Sequence, residues 1–258
     1  MERFLQKGAP LGQAQAITRE GLGATERRDA WWLAPVAVAS GLGILGLYLF
    51  WAAAQNAHFR FGSYLSPVYS PEIHPKWWPI SPAFLILIPP MLFRTTCYYY
   101  RKAYYRAFFW DPPACGVGEI KKKYQGETKF PFLLQNMHRF ALYLALFWLI
   151  FLWTDVWQAF HFDGRFGIGL GSFFILASTG TLTLYTLSCH SWRHLIGGKL
   201  DCFSCSVSAR ARHGLWQRFT GMNERHQLYA WISLFCVTAA DVFVRLLSMG
   251  VLHDVRLL

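Results

Sequence analysis

Charged side chains are scarce in this sequence. Only 15% of the 258 residues are Asp, Glu, Lys or Arg, whereas soluble domains average about 25%. No repeat of fixed period is visible, and no connection between the apolar runs has room for a second, soluble domain. Hydrophobic residues make up 54% of the chain, which excludes a disordered or low-complexity protein. Because they come in long runs with few charges, the composition indicates a membrane protein.

Four of these runs are long enough to cross a bilayer. A hydrocarbon core of about 30 Å needs about 20 helical residues at a rise of about 1.5 Å each. The four runs cover about residues 31–54, 138–160, 166–190 and 226–249. A fifth predicted helix, about 79–108, is less regular because Pro89 and Pro90 should kink it. We therefore predict an all-α, integral membrane bundle of five helices.

Acidic residues are also fewer than basic ones, 14 against 25, and the basic residues are unevenly placed. Eight lie in residues 94–137, six in 191–225 and five in 1–30, whereas 55–80 holds two. Because cytoplasmic loops carry the Lys/Arg excess, we expect the N-terminus inside the cell and the C-terminus outside. The net charge of +11 is then expected to contact anionic membrane lipids or a docked cytoplasmic partner, and not nucleic acid.

This placement predicts the domain organisation. A cytoplasmic N-terminal segment covers residues 1–30, and a transmembrane anchor domain covers 31–258, with basic cytoplasmic loops at 109–137 and 191–225. The N-terminal segment does not have the pattern of a secretory signal, because its apolar stretch starts late and runs long. We therefore expect the first helix to be retained.

Several histidines and cysteines lie at the predicted cytoplasmic ends of the helices. They are Cys97, His138, Cys189, His190, His194 and His226. Antiparallel helices bring such residues to a similar depth, and several of them at one level of a bundle indicate a metal or cofactor site. Thiolates together with neutral imidazoles suit zinc or an iron–sulfur cluster, and two histidines alone could hold a haem.

A CxxC sequence, Cys202 to Cys205, lies in the second basic loop. Together with His194 and His213 it could bind zinc, although no second CxxC accompanies it. A non-redox membrane protein with a zinc-binding cytoplasmic loop is therefore one alternative. Because cytoplasmic thiols stay reduced, we do not expect a disulfide framework.

Four segments resemble a known family: Cys97-Tyr-Tyr-Tyr-Arg-Lys-Ala-Tyr-Tyr-Arg106, Pro112-Pro-Ala-Cys115, Gln135-Asn-Met-His138-Arg139 and Ser188-Cys-His-Ser-Trp-Arg-His194. They resemble the membrane-anchor C subunit of type F succinate dehydrogenases, the respiratory complex II class with one anchor subunit. The resemblance implies a multi-pass subunit of the cell membrane that docks the iron–sulfur subunit and, with it, the flavoprotein subunit. No segment resembles a flavin or dicarboxylate site, so we assign no catalytic residue and expect no succinate dehydrogenase activity from this chain alone.

The resemblance also implies a cofactor, because this family is associated with a Rieske-type [2Fe–2S] cluster that relays electrons to a quinone. Two Cys and two His would bind it, and the implied candidates are Cys97, Cys115, Cys189, His138, His190 and His194, with His226 in reserve. Which four bind the cluster stays open. A di-haem b-type anchor that uses the same histidines is the other alternative.

Two further groups of polar residues lie within the predicted helices. A quinone site needs aromatic walls and a few donors, for which Tyr98, Arg101 and Arg139 are candidates; they could instead be interfacial residues. Towards the predicted outer leaflet lie Asp155, Asp241 and Arg245. They indicate either a proton path or an Asp241–Arg245 pair with Asp155 nearby, and we favour the pair.

Overall fold

The computed structural model describes residues 21–119, 128–130 and 132–257. Most of the predicted N-terminal segment, residues 1–20, lies outside the described residues, and so do Lys121, Lys122 and Lys123 of the first basic loop.

Four described helices are long and apolar enough to span a membrane. They are α1 (Leu33–Gln55), α5 (His138–Ala159), α6 (Leu170–Leu187) and α9 (His226–Ser248). The first is apolar on all sides, and most of its surface is open to lipid. The other three pack together and form the core of the bundle. These four correspond to four of the five predicted spans, and the protein is mostly helical.

The remaining predicted span, 79–108, is three short helices instead of one. They are α2 (Ala83–Ile86), α3 (Ile88–Thr96) and α4 (Tyr98–Ala107). Pro89 and Pro90 have no backbone N–H to donate to the preceding turn, so the helix breaks at Leu87. A second break falls at Cys97, whose backbone is extended. The described residues therefore contain four candidate membrane spans and one broken helix, and the five-helix count is not confirmed.

We call one end of the bundle the cysteine end, because Cys97 and Cys189 lie there, and the other the opposite end. At the cysteine end, α3 meets α4 at Cys97, α5 and α9 begin at His138 and His226, and α6 ends before Cys189. The predicted loop 191–225 at this end is mostly helical. It consists of α7 (His190–Gly197) and α8 (Val207–Glu224), joined by a turn.

That turn contains Cys202 and Cys205, which form a disulfide. This differs from the expectation of reduced thiols, because the turn brings the two Cα atoms to 5.7 Å, within disulfide range. A disulfide sulfur is not a thiolate ligand, so this geometry gives no support to the zinc-binding alternative.

The opposite end of the bundle is closed by the connection after α1. It forms a hairpin, β1 (Arg60–Phe61) with β2 (Tyr64–Leu65), and then a 3-10 turn, Pro67–Tyr69. The serines that flank this turn are fully buried, and each donates to a buried carboxylate: Ser66 to Asp241, and Ser70 to Asp155. A second hairpin, β3 (His161–Phe162) with β4 (Arg165–Phe166), joins α5 to α6.

Asp241 and Arg245 form the predicted ion pair one helical turn apart, with Arg245 Nε 3.3 Å from Asp241 Oδ2. The same carboxylate oxygen accepts a hydrogen bond from the Tyr48 hydroxyl at 2.6 Å. Arg245 also donates to the carbonyls of Ala57 at 2.8 Å and Ala52 at 3.3 Å. These partners explain how two buried charges are tolerated here.

The C-terminal tail is tied to the start of α6. Leu257 N–H donates to the Ile168 carbonyl at 2.7 Å. Asp254 accepts hydrogen bonds from the Tyr64 hydroxyl at 2.8 Å and from Gly171 N–H at 3.3 Å. The tail therefore helps to hold the hairpin β1–β2 in the opposite end of the bundle.

Asp241→Asn is expected to destabilise the fold, because it leaves the buried Arg245 guanidinium without its carboxylate. Removing one partner of a buried ion pair costs about 3–5 kcal/mol. Thermal unfolding of the purified protein in detergent measures the effect. Asp163→Asn is the matched control, since Asp163 is exposed at a positive φ of 50° that Asn tolerates. Equal melting temperatures of the two variants would contradict this role of Asp241.

Candidate functional site

Two cysteine–histidine pairs lie at the cysteine end. Cys97 Sγ is 3.2 Å from His226 Nε2, and Cys189 Sγ is 2.9 Å from His138 Nε2. Both cysteines are 2% exposed. Each cysteine is the extended residue just before a short helix, α4 or α7, and each histidine is the first residue of a long helix, α5 or α9. Four breaks in the helical pattern therefore position the four side chains.

Two hydroxyl groups set the protonation of the histidine rings. Thr96 Oγ1 is 2.8 Å from His138 Nδ1, and Ser188 Oγ is 2.7 Å from His226 Nδ1. Each hydroxyl donates its own proton to a carbonyl of its preceding turn, at 2.7 and 2.9 Å. The hydroxyl oxygen is therefore the acceptor for Nδ1–H, and Nε2 keeps a free lone pair that faces the sulfur. This is the support that metal-binding histidines usually have.

The two pairs are interlocked through adjacent residues. In the dipeptide Thr96–Cys97, the threonine supports the histidine of one pair and the cysteine belongs to the other pair. In the dipeptide Ser188–Cys189, the serine supports His226, and the cysteine belongs to the pair with His138. Since neighbouring residues serve different pairs, all four donor atoms belong to one site.

Aromatic rings cover the membrane side of this site. Phe93 stacks on the His138 ring with centroids 4.8 Å apart, and Tyr185 stacks on the His226 ring at 4.9 Å. Phe93 and Tyr185 meet edge to face at 5.4 Å. Tyr185 is 1% exposed, and its hydroxyl oxygen has no hydrogen-bond partner in the described part of the chain. The rings thus shield the four donors from the bilayer.

The other side of the site is open. A cavity of about 700 Å³ lies there, and all four donor residues line it. Its further lining includes Tyr98, Arg101, Lys102, Gln135, Asn136 and His190. A molecule that enters this cavity therefore approaches the two pairs directly.

The structure brings together three of the six predicted ligands, Cys97, Cys189 and His138, with His226 as the fourth member. His190 lines the cavity instead, and its ring contacts that of His194 at 4.3 Å. Burial, together with the neighbouring His194 and Arg193, lowers the pKa of His190, which favours the neutral ring.

Cys115 lies elsewhere. It is exposed, and its carbonyl accepts a hydrogen bond from Arg27 at 2.9 Å. Thr25 donates to the next carbonyl, that of Gly116, at 2.7 Å, so the N-terminal segment fastens this loop. The described lining of the cavity does not include Cys115.

Two of the three quinone candidates line the cavity. Tyr98 and Arg101 lie together there, with the Arg101 guanidinium 4.7 Å from the centre of the Tyr98 ring. Arg139 is exposed and lies outside the described lining. The sequence analysis did not identify Thr96 and Ser188 as partners of the histidines. A hydroxyl residue directly before each buried cysteine was the pattern that could have indicated them.

Comparison with known proteins addresses the family. A model of the actinobacterial succinate dehydrogenase subunit SdhC matches residues 33–250. This chain belongs to that family. A chain of the Mycobacterium smegmatis Sdh1 complex in the apo form is 36% identical, with a TM-score of 0.81, over 91% of this chain and 94% of that one. No curated protein matches by sequence.

The match to this family model confirms the resemblance seen in the sequence. The chain is a membrane subunit of a multi-subunit succinate dehydrogenase, and it lies in the cell membrane as a multi-pass protein. In the described residues, no three or more His, Cys, Asp or Glu side chains form a site for a single metal ion. The donor atoms of the candidate site instead form two cysteine–histidine pairs, Cys97 with His226 and Cys189 with His138.

Thr96→Val is expected to lower the metal content of the purified complex, because His138 loses the acceptor for its Nδ1–H. Loss of such support typically costs about 10–100-fold in metal affinity. Thr95→Val is the matched control, since the exposed Thr95 hydroxyl bonds only to carbonyls of its own helix. Iron and zinc analysis measures the result, and equal metal content in both variants would argue against the supporting role of Thr96.

Proposed function

We propose that this chain relays electrons from the iron–sulfur subunit of succinate dehydrogenase to a quinone. A Rieske-type [2Fe–2S] cluster held by Cys97, Cys189, His138 and His226 would carry them. The observation that supports this most is the interlocked set of two buried thiols and two imidazole Nε2 lone pairs.

The donor set fits such a cluster in number and in kind. A Rieske-type cluster has two iron atoms, one bound by two cysteines and the other by two histidines. The site offers two cysteines and two histidines, and its donors do not gather around one point as a single ion requires. Haem ligation by His138 and His226 would leave both buried thiols without a role.

The cluster would supply one-electron transfer at the membrane surface, and the chain's own residues would supply the rest. Cys97 and Cys189 lose their protons to become ligands. Thr96 and Ser188 hold the two imidazoles neutral, with Nε2 towards the site. Phe93 and Tyr185 keep lipid away from it.

The open cavity is the proposed quinone site. It borders the four donors, it is large enough for a quinone ring, and Tyr98 and Arg101 can donate hydrogen bonds to the carbonyl oxygens. Charge develops on those oxygens during reduction, so donors placed there also favour the reaction. The iron–sulfur subunit would dock on the basic surface at this end, with the flavoprotein subunit beyond it, and lipids would cover the exposed side of α1.

Replacement of either paired histidine tests the ligand set. His138→Ala and His226→Ala are each expected to abolish the cluster's EPR signal in the reduced complex and to lower the iron and acid-labile sulfide content. The double variant His190→Ala/His194→Ala should keep that signal, because neither ring belongs to a pair. The reverse pattern would place the ligands on α7. Haem absorption bands without the EPR signal would favour the b-type anchor.

Arg101→Gln tests the quinone site. It is expected to raise the KM for quinone about tenfold, since a hydrogen bond from a charged group contributes about 1.5–3 kcal/mol. The EPR signal should remain. Arg139→Gln removes the same charge outside the cavity lining and should change the KM less. A larger effect at Arg139 would move the quinone site out of this cavity.

A further inference from the structure

Arg94 on α3 is a cation inside the membrane bundle without a carboxylate. Among the described residues no Asp or Glu oxygen lies within 4.0 Å of its guanidinium. Its hydrogen bonds go to neutral groups: the Ser233 hydroxyl at 2.9 Å, the Ala230 carbonyl at 3.3 Å and the Tyr100 hydroxyl. An intramembrane charge costs free energy, which makes it a candidate for function.

The same guanidinium lies against the candidate site. Its central carbon is 4.7 Å from the centre of the Tyr185 ring, and that ring stacks on His226 at 4.9 Å. The Arg94 carbonyl also accepts a hydrogen bond from Cys97 N–H at 3.1 Å.

The half-buried Arg94 and the buried Arg245 differ in this respect. Arg245, at the opposite end, has the carboxylate of Asp241 as its partner. Arg94 has no carboxylate partner in the described residues. Its hydrogen bond to the Ala230 carbonyl does not require a positive charge, since a neutral donor could make the same bond. A negative charge that arises at the adjoining site would give Arg94 the partner that it lacks among the described residues.

We propose that Arg94 is the counter-charge for the reduced state of this site, an inference that rests on the proposed function. If the proposed cluster is bound, one electron from the reduced iron–sulfur subunit would reduce one of its ferric ions to ferrous, with no bond broken and no proton required. The site thereby gains one negative charge. Arg94 stabilises that charge across a medium of low dielectric constant, so it raises the midpoint potential of the site.

Charge-removing and charge-conserving variants of the intact complex test this. An EPR-monitored redox titration of Arg94→Gln should give a lower midpoint potential than the wild type, and Arg94→Lys should stay close to the wild type. Arg165→Gln, which removes an exposed charge in the hairpin at the opposite end, is the control and should shift nothing. An unchanged midpoint in Arg94→Gln, or equal falls in the Gln and Lys variants, would overturn the proposal.

A second pair of variants keeps Arg94 in place. Ser233→Asp puts a carboxylate beside the guanidinium, where the serine oxygen now lies 2.9 Å away, and should lower the midpoint as Arg94→Gln does. Ser233→Asn adds similar bulk without charge and should not. An unchanged midpoint in Ser233→Asp refutes the counter-charge even if Arg94→Gln fails to assemble. Wild-type complex without a cluster signal would refute the proposed function, and this inference with it.

Discussion

A polar side chain buried in a membrane bundle must find its partners inside the protein, and this constraint organises both ends of the molecule. At the cysteine end, two dipeptides satisfy this constraint, and each of them provides partners to both histidines. Thr96–Cys97 and Ser188–Cys189 each provide a hydroxyl to one histidine and a thiol to the other. The arrangement works only because the helices break at these points and release the side chains from helical geometry.

The opposite end meets the same constraint with one ion pair and with hydroxyl groups that donate to the buried carboxylates. Asp241 has Arg245, Tyr48 and Ser66 as partners, and Asp155 has Ser70. The short 3-10 turn between the two serines closes the bundle there. Among the described residues, groups without a matching partner lie both beside the candidate site, where they are the charge of Arg94 and the hydroxyl of Tyr185, and within α6, where they are the hydroxyls of Ser178 and Thr179.

Much of the fold was predictable from hydropathy alone. Each long helix except the broken one follows from an apolar run with few charges, because a bilayer sets the length of a span. The break at Leu87 was signalled by Pro89 and Pro90, and Leu87 itself keeps helical backbone angles, with its N–H bonded to the Ala83 carbonyl at 2.8 Å. Four of the predicted cysteines and histidines do lie at one end of the bundle, since each stands at the end of a helix.

The sequence by itself determined the class of protein, the level of the candidate site and its supply of cysteines and histidines, because these depend on composition and on distance along a helix. Only the tertiary structure decided which histidines face which thiols. His190 and His194 share a helical face, but α6 ends before them and an extended residue, Cys189, separates it from α7, so His190 lines the cavity and His194 packs against His190. His226 replaces them, because the pairing is made between helices far apart in the chain.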